Sequence, residues 1–297
     1  MAAFQIALIN ESAVLSMDKF LEASAAIQKQ VTNDFGAAWG IDATVDAFAS
    51  LNSKPLEAWP VVLRDDVTID SAGAHSSEDG RRAFAIVAYR EEDWTLTLSH
   101  EVMEMLVDPF GKTLRSGPSP TTPGATVEYL VEVCDPCQFA HLVGSPYIIN
   151  GVQVSDFILP SYYKSFGTGN YSFTGAVTEP RSVLPFGYVT YHDPVSLDWK
   201  QLSDDGSGPA ERSLGPNPAP NQVHLRGTID RATEARFAKL RRYPKSAART
   251  GTQETRKRKS RAVKAVETRS QRYQDAQNAQ AEWWRTEIAI KLGTGGR

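Results

Sequence analysis

The sequence predicts a mixed α/β protein of the α+β kind, ending in a helical basic tail, and three observations predict it. Short apolar runs bounded by charged residues or proline alternate with stretches whose apolar residues recur at helical spacing. Apolar residues make up 41% of the 297, and aromatic residues 9%, which supports a buried core and excludes a disordered chain. Charge is unevenly divided. Residues 1–225 hold 13 Lys and Arg against 28 Asp and Glu, whereas residues 226–297 hold 19 against 7, so an acidic body carries a basic tail although the net charge is only −3.

Phe4 to Ile9 is a short apolar run suited to a buried strand. Ser16 stands at a helix N-cap position ahead of Phe20, Ala23, Ile27 and Val31, whose spacing is helical. Ala43 to Ser50 and Val61 to Leu63 read as two further strands, with Trp59 and Pro60 at the entry to the second. A polar loop follows over Asp70 to Gly80, then a strand over Phe84 to Tyr89. Trp94 to Val107 has a helical apolar pattern and must stop at Asp108, because a residue before proline is pushed out of the helical region. Val127 to Val133 partly alternates as a strand does, and Tyr147 to Val154, with Gly151, reads as a hairpin. Residues 155–200 give no clear period. Seven of the twenty residues from Ser203 to Gln222 are Gly or Pro, which predicts a linker, and residues 228–242 and about 253–292 have helical composition. The expected organisation is a domain over 1–202, a linker over 203–225 and a basic helical tail over 226–297.

Several classes drop out. No apolar run approaches the roughly 20 residues of a membrane-spanning helix, and no basic flank precedes the first apolar stretch, so a soluble, cytoplasmic protein with no membrane partner is expected. Two cysteines, Cys134 and Cys137, are too few for a disulfide framework; they read as two buried or loop thiols sooner than as half a zinc knuckle or a redox pair. No GxGxxG, GxxxxGK[ST] or GxSxG occurs, which removes dinucleotide, P-loop and serine-hydrolase chemistry.

The informative segment is Ser99-His100-Glu101-Val102-Met103-Glu104, an HExxE helix that runs on to Asp108-Pro109. Residues four apart on a helix project about 40° apart and lie roughly 6 Å apart at Cβ, so His100 and Glu104 can hold one metal ion together. Glu101 projects about 100° from His100, which puts its carboxylate beside the metal, where it can take a proton from a metal-bound water. A carboxylate in place of a second histidine raises the pKa of that water, weakens hydrolysis, and admits other divalent metals besides zinc. A helix with one satisfied core histidine and two solvated acids would show the same pattern. A third ligand is needed. Glu132 and Asp135 are the first choice, because acids in so apolar a stretch are costly to bury without a cation or donor; Asp108 is next. His75 can line the cleft from its loop, although a lone loop histidine is more often solvated. His141, His192 and His224 have no motif around them.

At these residues the sequence resembles a group of zincin-type metallopeptidases marked by an S-H-E-x-x-E helix followed by Asp-Pro and then by an E-x-x-D-x-C element. The matching positions are Ser99, His100, Glu101, Glu104, Asp108 and Pro109, then Glu132, Asp135 and Cys137, with Gly151 to Pro160 also similar. The resemblance spans about residues 1–165. It implies a zincin-like twisted mixed sheet beneath an N-terminal helix, with the active-site helix below the sheet. It further implies metal ligation by His100 and Glu104 and general-base work by Glu101.

The function expected is metal-dependent hydrolysis of a peptide or other amide, with zinc or another divalent metal as cofactor and a peptide or protein as substrate. The alternative is a catalytically inactive zincin-like protein that works by binding. The +12 tail can meet nucleic acid through phosphate contacts, or the acidic domain of another copy, although such a charge run is more often a solvated helix face. Tyr273, Trp283 and Trp284 are expected to dock a partner or a helix sooner than to stack on bases.

Overall fold

A computed structural model describes residues 4–65, 73–76, 82–164, 169–218, 229, 233 and 270–291. Its first half is a five-stranded mixed sheet. Strands β1 (Phe4–Asn10), β2 (Ala43–Phe48), β3 (Trp59–Arg64) and β5 (Phe84–Ala88) run parallel, and β4 (Gly73–Ser76) closes one edge antiparallel to β5, in the order β2-β1-β3-β5-β4. Strands β1, β3 and β5 are near-continuous apolar runs because both sheet faces are covered there, whereas the edge strand β2 alternates, with Thr44 and Asp46 exposed.

Helix α1 (Met17–Lys29) starts where the sequence predicts: Ser16 accepts a hydrogen bond from the Lys19 amide, and Phe20, Ala23, Ala26 and Ile27 face the sheet. A widened turn over Gln30–Phe35 and a last helical turn, α2 (Gly36–Trp39), continue it until Gly40 at φ 69°. Helix α3 (Trp94–Val107) carries the motif. It lies against β4, β5 and β9 (Val152–Val154) and is buried almost all round, so its apolar residues form no single stripe.

The second half is an antiparallel sheet of β6 (Leu114–Pro118), β7 (Thr126–Leu130), β10 (Tyr188–Asp193), β11 (Asp198–Asp204) and β12 (Pro209–Gly215), in the order β12-β11-β10-β7-β6. Strand β9 pairs with β8 (Tyr147–Ile149) in the expected hairpin, turned by Asn150 and Gly151, both at positive φ. Residues 155–200, which give no period, supply β10 and the start of β11, which pair as a hairpin, while β10 also meets β7 far earlier in the chain.

Two expectations are corrected. The supposed linker over 203–225 contains β12 and the end of β11: Gly206 and Gly208 make the turn, while Pro209 and Gly215 stand at the strand ends, where they cost no ladder hydrogen bond in the interior. The polar stretch 70–80 is not all loop, because residues 73–76 form β4. Of the two tail helices, 228–242 lies outside the described residues apart from Ile229 and Thr233, and the second is described over α4 (Ser270–Lys291). Trp284 on α4 does dock, but onto this chain's own sheet: with Ala281 and Ile288 it covers Ala7, Ile9, Val62, Phe84 and Ile86, the face turned away from α1 and α3. Among the described residues no helix is long and apolar enough to cross a membrane.

Candidate metal centre

Helix α3 places His100 and Glu104 one turn apart, and the loop after β7 brings Asp135 to them. His100 Nε2 lies 3.1 Å from Glu104 Oε2 and 3.2 Å from Asp135 Oδ1. Glu104 is fully buried, Asp135 nearly so, and the His100 side chain keeps 12% exposure, so the imidazole forms the accessible side of the trio. Glu104 is oriented by its other oxygen, Oε1, which accepts the Cys134 amide hydrogen at 3.0 Å. One acid thus ties the motif helix to the acidic loop.

His100 and Glu104, with Cys134, form one group of side chains that could hold a metal ion, and Asp135 meets His100 beside them. Two ligands each about 2.0–2.1 Å from one tetrahedral ion stand about 3.3 Å apart, close to both observed separations. Burying a carboxylate costs several kcal/mol unless a positive group meets it, and here two carboxylates converge on one imidazole.

Around the trio, neighbouring motif residues hold the frame. Ser99 Oγ donates to the Leu96 carbonyl and accepts the Ser155 amide at 2.7 Å, and Gln30 Nε2 donates to the Ser155 carbonyl, so the turn after α1, α3 and the chain just after β9 are locked together. Asp108 ends the helix, where its Oδ1 accepts from the amides of Lys112 and Thr113 and from the Thr113 hydroxyl. Burial pushes the Asp108 carboxyl upward and those hydrogen bonds oppose the shift. Its side chain therefore builds the turn. Asp156 works alike, accepting the Phe157 and Thr174 amides and the Thr174 hydroxyl.

Glu132 is fully buried, and after burial itself its charge is the next cause that raises the Tyr163 phenol. Cys134 and Cys137 are buried free thiols joined by a turn, the Cys137 amide donating to the Cys134 carbonyl, and burial holds both well above the usual thiol range. Cys134 Sγ donates to the His100 carbonyl at 3.8 Å and falls, with His100 and Glu104, in one group of ligand-type atoms within 4.8 Å of one another.

Sequence reasoning underrated His75. It sits on β4, is 4% exposed, and reaches Glu101: Nδ1 is 3.4 Å from Glu101 Oε2, and Nε2 is 2.9 Å from the Asp108 carbonyl oxygen. A carbonyl only accepts, so Nε2 carries the hydrogen. Glu101 is 5% exposed, and its other side meets the Gly73 backbone so closely that a Cβ there would lie 2.6 Å from Oε1. Four residues of strand carry no readable period, so only the antiparallel pairing with β5 reveals that His75 points at the motif helix.

The remaining histidines stand apart from this cluster by sequence and partner. His192 pairs with Glu128 at 3.1 Å across the second sheet and meets the Trp199 ring; His141 lies on a short helix over Ala140–Val143; His224 lies outside the described residues. No family model, curated protein or solved structure matches this chain.

Proposed function

We propose that the chain is a metal-dependent hydrolase of peptides or other amides, with a zincin-like first domain. The observation that carries this reading is the convergence of His100 Nε2 on Glu104 Oε2 and Asp135 Oδ1, at 3.1 and 3.2 Å, with the buried Glu101 carboxylate one residue along the same helix. His100, Glu104 and Asp135 would hold a divalent cation, zinc in the first instance, since one nitrogen and two oxygens suit it. Such a cation, when bound, polarises a carbonyl and acidifies a water.

The chain's own groups do the rest. Glu101 accepts a proton at its carboxylate and returns it to the leaving amine, the task of a general base and then a general acid. Its position is fixed from two sides, by His75 and by the backbone of Gly73. Strand β4 is an edge of the mixed sheet, and an extended peptide can pair with such an edge through main-chain hydrogen bonds. The mixed sheet, four parallel strands with an antiparallel edge strand against the motif helix, supports the zincin-like assignment, while α1 lies on the same sheet face as α3 and not across the sheet from it as expected.

The test is metal content measured together with hydrolysis of a mixed peptide library. Wild type is expected to carry a divalent metal and cleave, and E101Q to keep the ion held by His100, Glu104 and Asp135 and lose cleavage. Wild type without metal, or E101Q that cleaves normally, would overturn the reading.

A further inference from the structure

We infer that a second divalent cation position lies beside the first, formed by His75, Glu101 and Glu104, with Glu104 common to both. The inference rests on the metal-dependent reading of His100, Glu104 and Asp135 and goes beyond it. Ligand-type atoms of His75, Glu101 and Glu104 lie within 4.8 Å of one another, and all three residues are buried.

The orientation of His75 carries the argument. Its Nε2 hydrogen is committed to the Asp108 carbonyl at 2.9 Å. This is the arrangement in which ligating histidines are held, one ring nitrogen donating to a backbone carbonyl while the other presents its lone pair. The nitrogen so presented, Nδ1, faces a carboxylate oxygen, Glu101 Oε2, at 3.4 Å. A cation between them would be held by both, and two ligands of one tetrahedral ion stand about 3.3 Å apart, close to the 3.4 Å observed.

Charge points the same way. Glu101, Glu104, Asp108, Glu132 and Asp135 are all at most 5% exposed, and two histidines stand among them. Each dication placed among them offsets part of the charge these carboxylates carry when ionised. Glu104 belongs to both groups of ligand-type atoms, as a carboxylate shared between two ions must.

The experiment uses full-length protein stripped by a chelator, re-equilibrated with manganese(II) or zinc, and dialysed before the bound metal is counted. Two equivalents are expected in wild type, and one each in H75Q and H100Q. A single equivalent in wild type that H100Q removes would overturn the second position and leave the proposed function standing. No bound metal at all would overturn both. Two equivalents that H75Q leaves unchanged would place the second ion elsewhere and overturn the assignment. Should H75Q fail to fold, the wild-type manganese spectrum decides: ions sharing Glu104 give a spin-coupled spectrum, and the pattern of isolated ions at full loading refutes the proposal.

Discussion

Replacing Gly73 with alanine tests the packing that fixes Glu101. A Cβ at that position would stand 2.6 Å from Glu101 Oε1, 2.8 Å from Glu101 Cγ and 2.8 Å from Thr97 Cγ2. Ordinary contact begins at 3.4 Å, so the shortest approach falls roughly 0.8 Å short. Three atoms on two α3 side chains must therefore yield together. Overpacking on this scale costs about 1–3 kcal/mol, and the part borne by Glu101 moves Oε2 relative to His75. The backbone of Gly73 is not in the left-handed region, so strain adds nothing. Gly124, at φ 79° with open space within 4 Å of where its Cβ would stand, supplies the contrast: G124A should cost about 1 kcal/mol from backbone strain alone. The assays are urea unfolding and metal counting. G73A should lose about 1–3 kcal/mol, keep the ion at His100, Glu104 and Asp135, and cleave poorly. Stability within about 0.5 kcal/mol of wild type with unchanged cleavage would refute the claim that β4 and Glu101 are in contact.

Other consequences follow from burial. W284A removes an indole that is 1% exposed against Phe84 and the outer sheet face; a loss of about 3–5 kcal/mol is expected in unfolding, with amide exchange in β1, β3 and β5 rising, and unchanged exchange would show that α4 does not cover the sheet. Lys54 lies under α4, its amine donating to the Pro55 and Leu56 carbonyls and to Gln280, and burial lowers its pKa from 10.5 to about 8. Because the unfolded chain then binds more protons between about pH 8 and 10.5, stability should rise with pH across that window, by roughly 1–2 kcal/mol after allowance for solvent screening; K54M should flatten the rise. Cys134 and Cys137, protonated and buried, should resist a thiol-disulfide reagent in the folded protein and react once it is unfolded; rapid labelling of the native state would contradict their burial.

Much of the first half was legible because its signals are local. Apolar runs marked β1, β3 and β5; Ser16 and the spacing after it marked α1; the pattern before Asp108-Pro109 marked α3 and the place where it stops. The HExxE spacing put His100 and Glu104 on one helix face, since four residues make about one turn. Asp135 was nominated because burial of an acid demands a partner, and it is the acid that meets His100. Glu132, proposed on the same ground, is fully buried as well; energetic need says that a buried acid has company and not which.

What the sequence by itself determined is the chemistry of one helical turn: which donors it carries, how they are spaced, and that an acidic body precedes a basic tail. Only the tertiary structure decided what meets that turn. Strand β4, too short to show a period, acquires its identity from pairing with β5, and through it His75 reaches Glu101. The Gly- and Pro-rich stretch becomes β12 because β11 supplies its hydrogen bonds, and Trp284 finds the outer face of a sheet formed far earlier in the chain. Each of these depends on a partner in another element, near or far along the chain, and no local pattern records a contact whose energy is shared with another segment.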